Sequence, residues 1–169
     1  MVFSSVTFIY VFLPVVLLLY YAAPKKLKNL LILLSGLVFY AWGEPVYVVL
    51  MMFTTLVDYT AGRLIHKFDE KKRARLAVMV TGGAINLFLL SVFKYSSFVV
   101  SNINALLGTN LIDPQLPLPI GISFYTFQSM SYTLDMYMRK VKVQRNFINY
   151  AAYVTLFPQI VAGPIVRYQ

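Results

Sequence analysis

Long apolar runs that alternate with short clusters of basic residues constrain this chain more than any other feature. Runs of roughly 17–25 residues match the thickness of a bilayer's hydrocarbon core. In that medium only structures that satisfy their own backbone groups are viable, and for isolated runs of this kind that means helices. The runs cover residues 3–23, 27–42, 46–62, 76–93 with a continuation to 107, 120–138 and 147–168. The expected fold is therefore all-α: a polytopic transmembrane helical bundle of about five to six membrane helices.

Composition agrees with this reading. The chain is 59% hydrophobic and 12% charged, whereas soluble domains are about 45–50% apolar and about 25% charged. A core of this size could not hide so much apolar surface from water. There is no cysteine, which excludes disulfide frameworks, thiolate metal sites and cysteine nucleophiles.

The 15 Lys and Arg residues outnumber the 6 Asp and Glu. Such an excess can signal nucleic acid, but here the cations sit between apolar runs, where they act as topology signals. Lys25, Lys26 and Lys28 follow the first run. A basic loop with Arg63, Lys67, Lys71, Lys72, Arg73 and Arg75 follows the third, and Arg139, Lys140, Lys142 and Arg145 follow the fifth. The turns at Glu44 and around Asp113 carry no cation. If basic loops stay in the cytoplasm, the N-terminus lies outside and the helices alternate without exception. No basic residue precedes the first run and no small-residue cleavage site follows it, so it is expected to stay in the membrane.

The run 120–138 holds the most polar groups. Gly121, Tyr125, Gln128, Tyr132 and Asp135 are spaced four, three, four and three apart, which puts them on one face of a helix. Polar groups are costly against hydrocarbon, so this stripe should face other helices or a wet cavity. Two readings stay open: the wall of an intramembrane substrate path, or interhelical hydrogen bonding without a substrate. Asp58, toward the cytoplasmic end of the third run, and Lys94, in the outer part of the fourth, are the other intramembrane ionisable groups. Either could instead reach the interface, and Asp58 could pair with a nearby cation.

The last run cannot be one straight helix, because Pro158 and Pro164 each remove a backbone donor. Broken backbone at membrane depth needs protein or a cavity to cover it. Pro158, Gln159, Gly163, Pro164 and Arg167 thus join the candidate path-lining residues, with a simple exit from the membrane at Gly163 as the alternative. His66 is the only histidine; it falls in the basic loop, where no serine or carboxylate is placed to form a triad. Metal-ligand spacing, nucleotide loops and nucleophile elbows are absent from the sequence.

Several stretches resemble the alginate O-acetyltransferase branch of the membrane-bound O-acyltransferases: Phe3-Ser4-Ser5, Phe39-Tyr40-Ala41-Trp42-Gly43-Glu44-Pro45, Phe93-Lys94-Tyr95, Leu118-Pro119-Ile120-Gly121-Ile122-Ser123-Phe124-Tyr125-Thr126-Phe127-Gln128, and Phe157-Pro158 through Gly163-Pro164-Ile165. The resemblance runs the length of the chain in order. It implies that residues 1–169 are the N-terminal portion of a longer membrane domain, with the essential histidine beyond Gln169, so that these residues alone would be inactive.

It further implies a multi-pass enzyme of the bacterial inner (plasma) membrane. Such an enzyme moves acetyl groups from a cytoplasmic thioester such as acetyl-CoA to hydroxyls of an extracytoplasmic, alginate-like polysaccharide. The thioester is a substrate, and no resident cofactor is expected. A periplasmic or cell-surface acetyl-transfer protein is a possible partner, alongside the lipid bilayer and the polysaccharide, with no nucleic acid. His66 matches no catalytic position of the family. Two rivals remain at this stage: a fragment of a secondary transporter, since broken helices with intramembrane polar groups occur there too, and a non-enzymatic membrane scaffold.

Overall fold

The computed structural model describes residues 5–162 and 168. Among them every regular element is helical: a π-helical segment Phe8–Phe12, α1 (Leu13–Ala22), α2 (Lys28–Gly43), α3 (Tyr47–Lys67), α4 (Lys72–Leu107), α5 (Ile122–Tyr137), α6 (Phe147–Val154) and α7 (Phe157–Ala162). Pro14 explains the π segment. It has no N–H to give the carbonyl four residues back and its ring crowds that carbonyl, so the preceding turn widens and the Leu13 N–H reaches Phe8 O instead.

α2 and α3 form a tight hairpin over Glu44 and Pro45, with the Glu44 N–H bonded to Tyr40 O at 2.9 Å and the Tyr47 N–H to Glu44 O at 3.2 Å. α3 and α4 are joined by residues 68–71 alone. The basic loop expected there is thus mostly helix: Arg63, His66 and Lys67 end α3, and Lys72, Arg73 and Arg75 begin α4. Charge does not by itself stop a helix. Arg63, Lys67, Lys72 and Arg73 extend the helices past the apolar stretch, where their long stems reach water, whereas Arg75 is buried.

α4 runs unbroken for 36 residues, starting earlier than residue 76 and passing straight through Lys94 and Tyr95. At 1.5 Å per residue it is about 54 Å long, well beyond the ~30 Å hydrocarbon core. It ends at Gly108, whose φ of 62° is a left-handed cap.

α5 is the hub, packed against α3, α4, α6 and α7. It starts at Gly121, where φ is 78° and a Cβ would stand 2.4 Å from Ile160 O. Only glycine accepts both demands. Gly36 lets α2 approach the end of α6 equally closely, since a Cβ there would lie 1.9 Å from Thr155 O.

The last run breaks at Thr155 and Leu156, and Pro158 falls in the first turn of α7, where its missing N–H costs nothing. The second expected break, at Gly163 and Pro164, lies outside the described residues.

Among the described residues α3 and α4 are the helices long and apolar enough to cross a membrane; the π segment with α1, and α2, are shorter apolar helices. Large apolar side chains cover the outside, among them Val49 (74% exposed), Phe88 (67%) and Phe98 (68%). Such an exterior suits hydrocarbon rather than water.

Candidate functional site

Inside this apolar shell the core is polar. Asp58, Asn86, Thr133, Gln128, Ser129 and Asp135 are all buried. The buried residues of α3 include Met51, Thr54, Thr55, Asp58, Ala61, Gly62 and Ile65, the three- and four-residue recurrence of one helical face. Asp58 therefore lies mid-helix and points into the bundle. Its Oδ2 accepts from Asn86 Nδ2 of α4 at 2.7 Å and its Oδ1 from Thr133 Oγ1 of α5 at 2.9 Å. Of the readings open for Asp58, the interfacial and ion-paired ones fall away: amide and hydroxyl dipoles, with no ion pair among the described residues, hold it inside the bundle.

A groove of about 530 Å³ opens beside this knot, with Asp58, Thr133 and Ser131 at its polar end and Phe127, Met130 and Leu87 along its apolar walls.

The α5 stripe lies wholly within the bundle. Tyr125 and Tyr132 are fully buried, and Gln128 and Asp135 nearly so. Gln128 Nε2 donates to Gln159 Oε1 at 2.6 Å and to Tyr153 O at 3.0 Å, and so ties α5 to α6 and α7. Tyr132 Oη accepts the Gln144 N–H at 3.0 Å, and its ring lies 4.7 Å from that of Tyr150. Tyr125 meets Tyr40 edge-on at 6.1 Å, and the hydroxyls of both are buried without a hydrogen-bond partner among the described residues.

Pro158 is exposed and Gln159 half-buried. Gly163, Pro164 and Arg167 lie outside the described residues. Lys94 is exposed, with its ammonium 5.5 Å from the Tyr95 ring centroid.

Sequence reasoning missed Asn86 and the Tyr40–Tyr125 pair. Asn86 left a signal: it is an amide within a long apolar stretch, four residues from Gly82 and from Leu90, all three of them buried. Tyr40 left none, because an interfacial tyrosine and a buried one look alike in a helix that ends nearby.

At the far end of α5 the chemistry changes. Asp69 accepts Arg139 Nη2 at 3.1 Å and Arg75 Nη1 at 3.5 Å. Arg75 also donates to Tyr137 O and lies 5.4 Å from the Tyr137 ring. His66 is exposed in the last turn of α3. Among the described residues no group of three or more His, Cys, Asp and Glu could hold a metal ion.

An apolar shell around a hydrogen-bonded polar core defines a membrane-type helical bundle. Comparison with known proteins then finds the chain similar to alginate O-acetylases, the group its motifs resemble. It is 38% identical over its whole length to a Pseudomonas aeruginosa protein named probable alginate O-acetylase, covering 33% of that protein. It is 37% identical to the Azotobacter vinelandii protein of the same name, covering 35% of it. A Helicobacter pylori peptidoglycan O-acetyltransferase is 30% identical over 99% of the chain, which covers 37% of that relative. The chain thus spans about a third of the length of the curated relatives it matches. No family model matches it. No solved structure matches it either.

Proposed function

We propose that these residues are the N-terminal part of a multi-pass O-acetyltransferase of a bacterial inner membrane. The enzyme carries acetyl from a cytoplasmic thioester, such as acetyl-CoA, to hydroxyls of an extracytoplasmic polysaccharide of the alginate type. The observation that carries this reading is the identity to two named O-acetylases along the whole of the chain. The polar core supports it, since buried amides, hydroxyls and a carboxylate inside an apolar bundle suit a protein that admits polar substrates to membrane depth.

In the reaction a histidine base takes the proton of the acceptor hydroxyl and the oxygen attacks the thioester carbonyl. The tetrahedral intermediate then expels the thiolate, which recovers a proton. His66 is not that base: it is exposed, and no serine or carboxylate bond orients it among the described residues. The base belongs to the remainder of the enzyme.

These residues supply part of the wall. The groove beside Asp58, the Gln128–Gln159 pair and the Tyr40–Tyr125 pair line the path or hold its lining in place. The short helices α1, α2 and α5 also cross or enter the bilayer, giving about five to six passes with their flanking residues. A periplasmic or cell-surface acetyl-transfer protein receives or relays the group.

Two measurements test this. Membrane vesicles carrying the full-length protein should move radiolabelled acetyl from acetyl-CoA, or from a cytosolic thioester in its place, onto alginate-type oligosaccharide. No transfer from any thioester donor would sink the reading. Reporter fusions at Lys72 and Arg145 should give cytoplasmic signals and one at Asp113 an external signal; an external signal at Lys72 would overturn the topology.

A further inference from the structure

Between the C-terminal ends of α3 and α5, closed by the non-helical residues 139–146, lies a cleft of about 420 Å³. Ile65, Met136, Val141 and Val143 form its apolar walls. Arg139, Lys142 and Arg145 line it with His66, and Asp69 is its one carboxylate. That carboxylate is already shared by Arg139 and Arg75. The three permanent cations thus leave a surplus of two positive charges, enough to match a phosphate dianion.

The cleft is built rather than left over from flexible side chains. Tyr59 Oη donates to Arg145 O at 2.6 Å and Arg63 Nη1 donates to the same carbonyl at 3.2 Å. The Gln144 N–H is fixed by Tyr132 Oη at 3.0 Å. The segment carrying Lys142 and Arg145 is therefore pinned at its base.

Arg139 occupies the position after the α5 cap with a φ of 60°. The Lys140 N–H bonds to Asp135 O at 2.9 Å and the Arg139 N–H to Met136 O at 3.1 Å, the two bonds of a Schellman turn whose left-handed residue is ordinarily glycine. An arginine held there, oriented by Asp69, marks a position where the side chain is wanted more than the easy backbone.

We infer that this cleft binds a phosphate-bearing group. Planar guanidiniums clamp phosphate oxygens through paired charge-assisted bonds, and the apolar walls suit the hydrocarbon or ester that carries the phosphate. Among the described residues no Phe, Tyr or Trp lines the cleft, which disfavours a nucleic-acid strand held by stacking on such rings. Two sources share the chemistry: the headgroup of an anionic phospholipid and the phosphates of a soluble ester. The inference does not depend on acyl transfer, and binding is measured without turnover.

The test uses the full-length protein and two probes: inorganic pyrophosphate by calorimetry in detergent, and lipid retained by native mass spectrometry after extraction from phosphatidylglycerol or phosphatidylcholine bilayers. The cleft variant is Lys142→Gln with Arg145→Gln. The control is Lys25→Gln with Lys26→Gln, which removes the same charge from exposed positions between α1 and α2. At least one probe should bind, and the cleft variant should weaken it roughly tenfold through the loss of two charge-assisted contacts, while the control stays within about twofold. Lys142→Gln alone should fall between them.

Binding of pyrophosphate alone identifies a soluble ester, and selective retention of phosphatidylglycerol alone identifies a lipid. If neither probe binds, or if both double variants weaken binding equally, the cleft is no site and the charge acts only as a diffuse field.

Discussion

Asp58 and Asp69 are the same residue eleven positions apart, yet they are stabilised in opposite ways. Asp58 has no exposure and is held by neutral donors, Asn86 and Thr133, from the two neighbouring helices. Asp69 is half exposed and held by two guanidiniums, Arg75 and Arg139. In the bundle interior, water cannot replace a lost partner, so every unmet polar group carries its full desolvation cost. At the helix ends, water and salt reach Asp69 and Arg139, so their ion pair contributes little, and only Arg75 is buried. The polar core thus fixes how α3, α4 and α5 sit together, whereas the basic end sets charge and orientation.

Asp58 gives the largest expected effect. Asp58→Ala strands the Asn86 amide and the Thr133 hydroxyl and should destabilise the bundle by roughly 2–6 kcal/mol, about 1–3 for each buried group left unpaired. Thermal unfolding of the detergent-solubilised protein reads this loss. Asp58→Asn sharpens the contrast, because it keeps an acceptor for Thr133 while removing the charge, and should cost less than half as much. Equal losses for both variants would mean that the charge itself matters, and would break the distinction from Asp69.

Removing Asp69 should matter far less. Asp69→Asn should change stability by about 0–1 kcal/mol, and raising salt to about 1 M should erase the difference, since the screening length there is about 3 Å. A loss as large as that of Asp58→Ala would show that the half-exposed Asp69 is structural through its contact with the buried Arg75.

The smallest effect belongs to Asp113, in the connection between α4 and α5. Its Oδ1 accepts the Gln115 N–H at 3.0 Å, and that bond holds its carboxyl below the ordinary carboxylate range. A depressed folded value stabilises the charged form. Its contribution is therefore present above the unfolded pKa and is lost as pH falls through the folded one. Hydrogen exchange at Gln115, corrected for intrinsic pH dependence, should lose protection on acidification, and Asp113→Asn should abolish that pH dependence. An unchanged profile in the variant would assign the protection to the turn alone.

Legibility followed the same divide. The strong apolar runs are helices as their length and composition imply, and α3 and α4 are long and apolar enough to cross a membrane. The boundaries failed where charge was taken to end a helix, as at Arg63, Lys67 and Lys72: a cation ends the contact with hydrocarbon, not the backbone hydrogen bonding. The stripe from Tyr125 to Asp135 was readable from its spacing. Its partners were not, since spacing along one helix says nothing of what stands opposite.

The sequence by itself determined that this protein builds helices with apolar exteriors, where its cations gather, and which family it resembles, for each of these depends on local composition and order. Only the tertiary structure decided that Asn86 and Thr133 meet Asp58, that Gln128 reaches Gln159, and that the cations after α5 share one cleft with the end of α3. Those pairings join residues as many as 75 positions apart, and they are set by how helices cross, through close approaches such as Gly36 on Thr155 and Gly121 on Ile160.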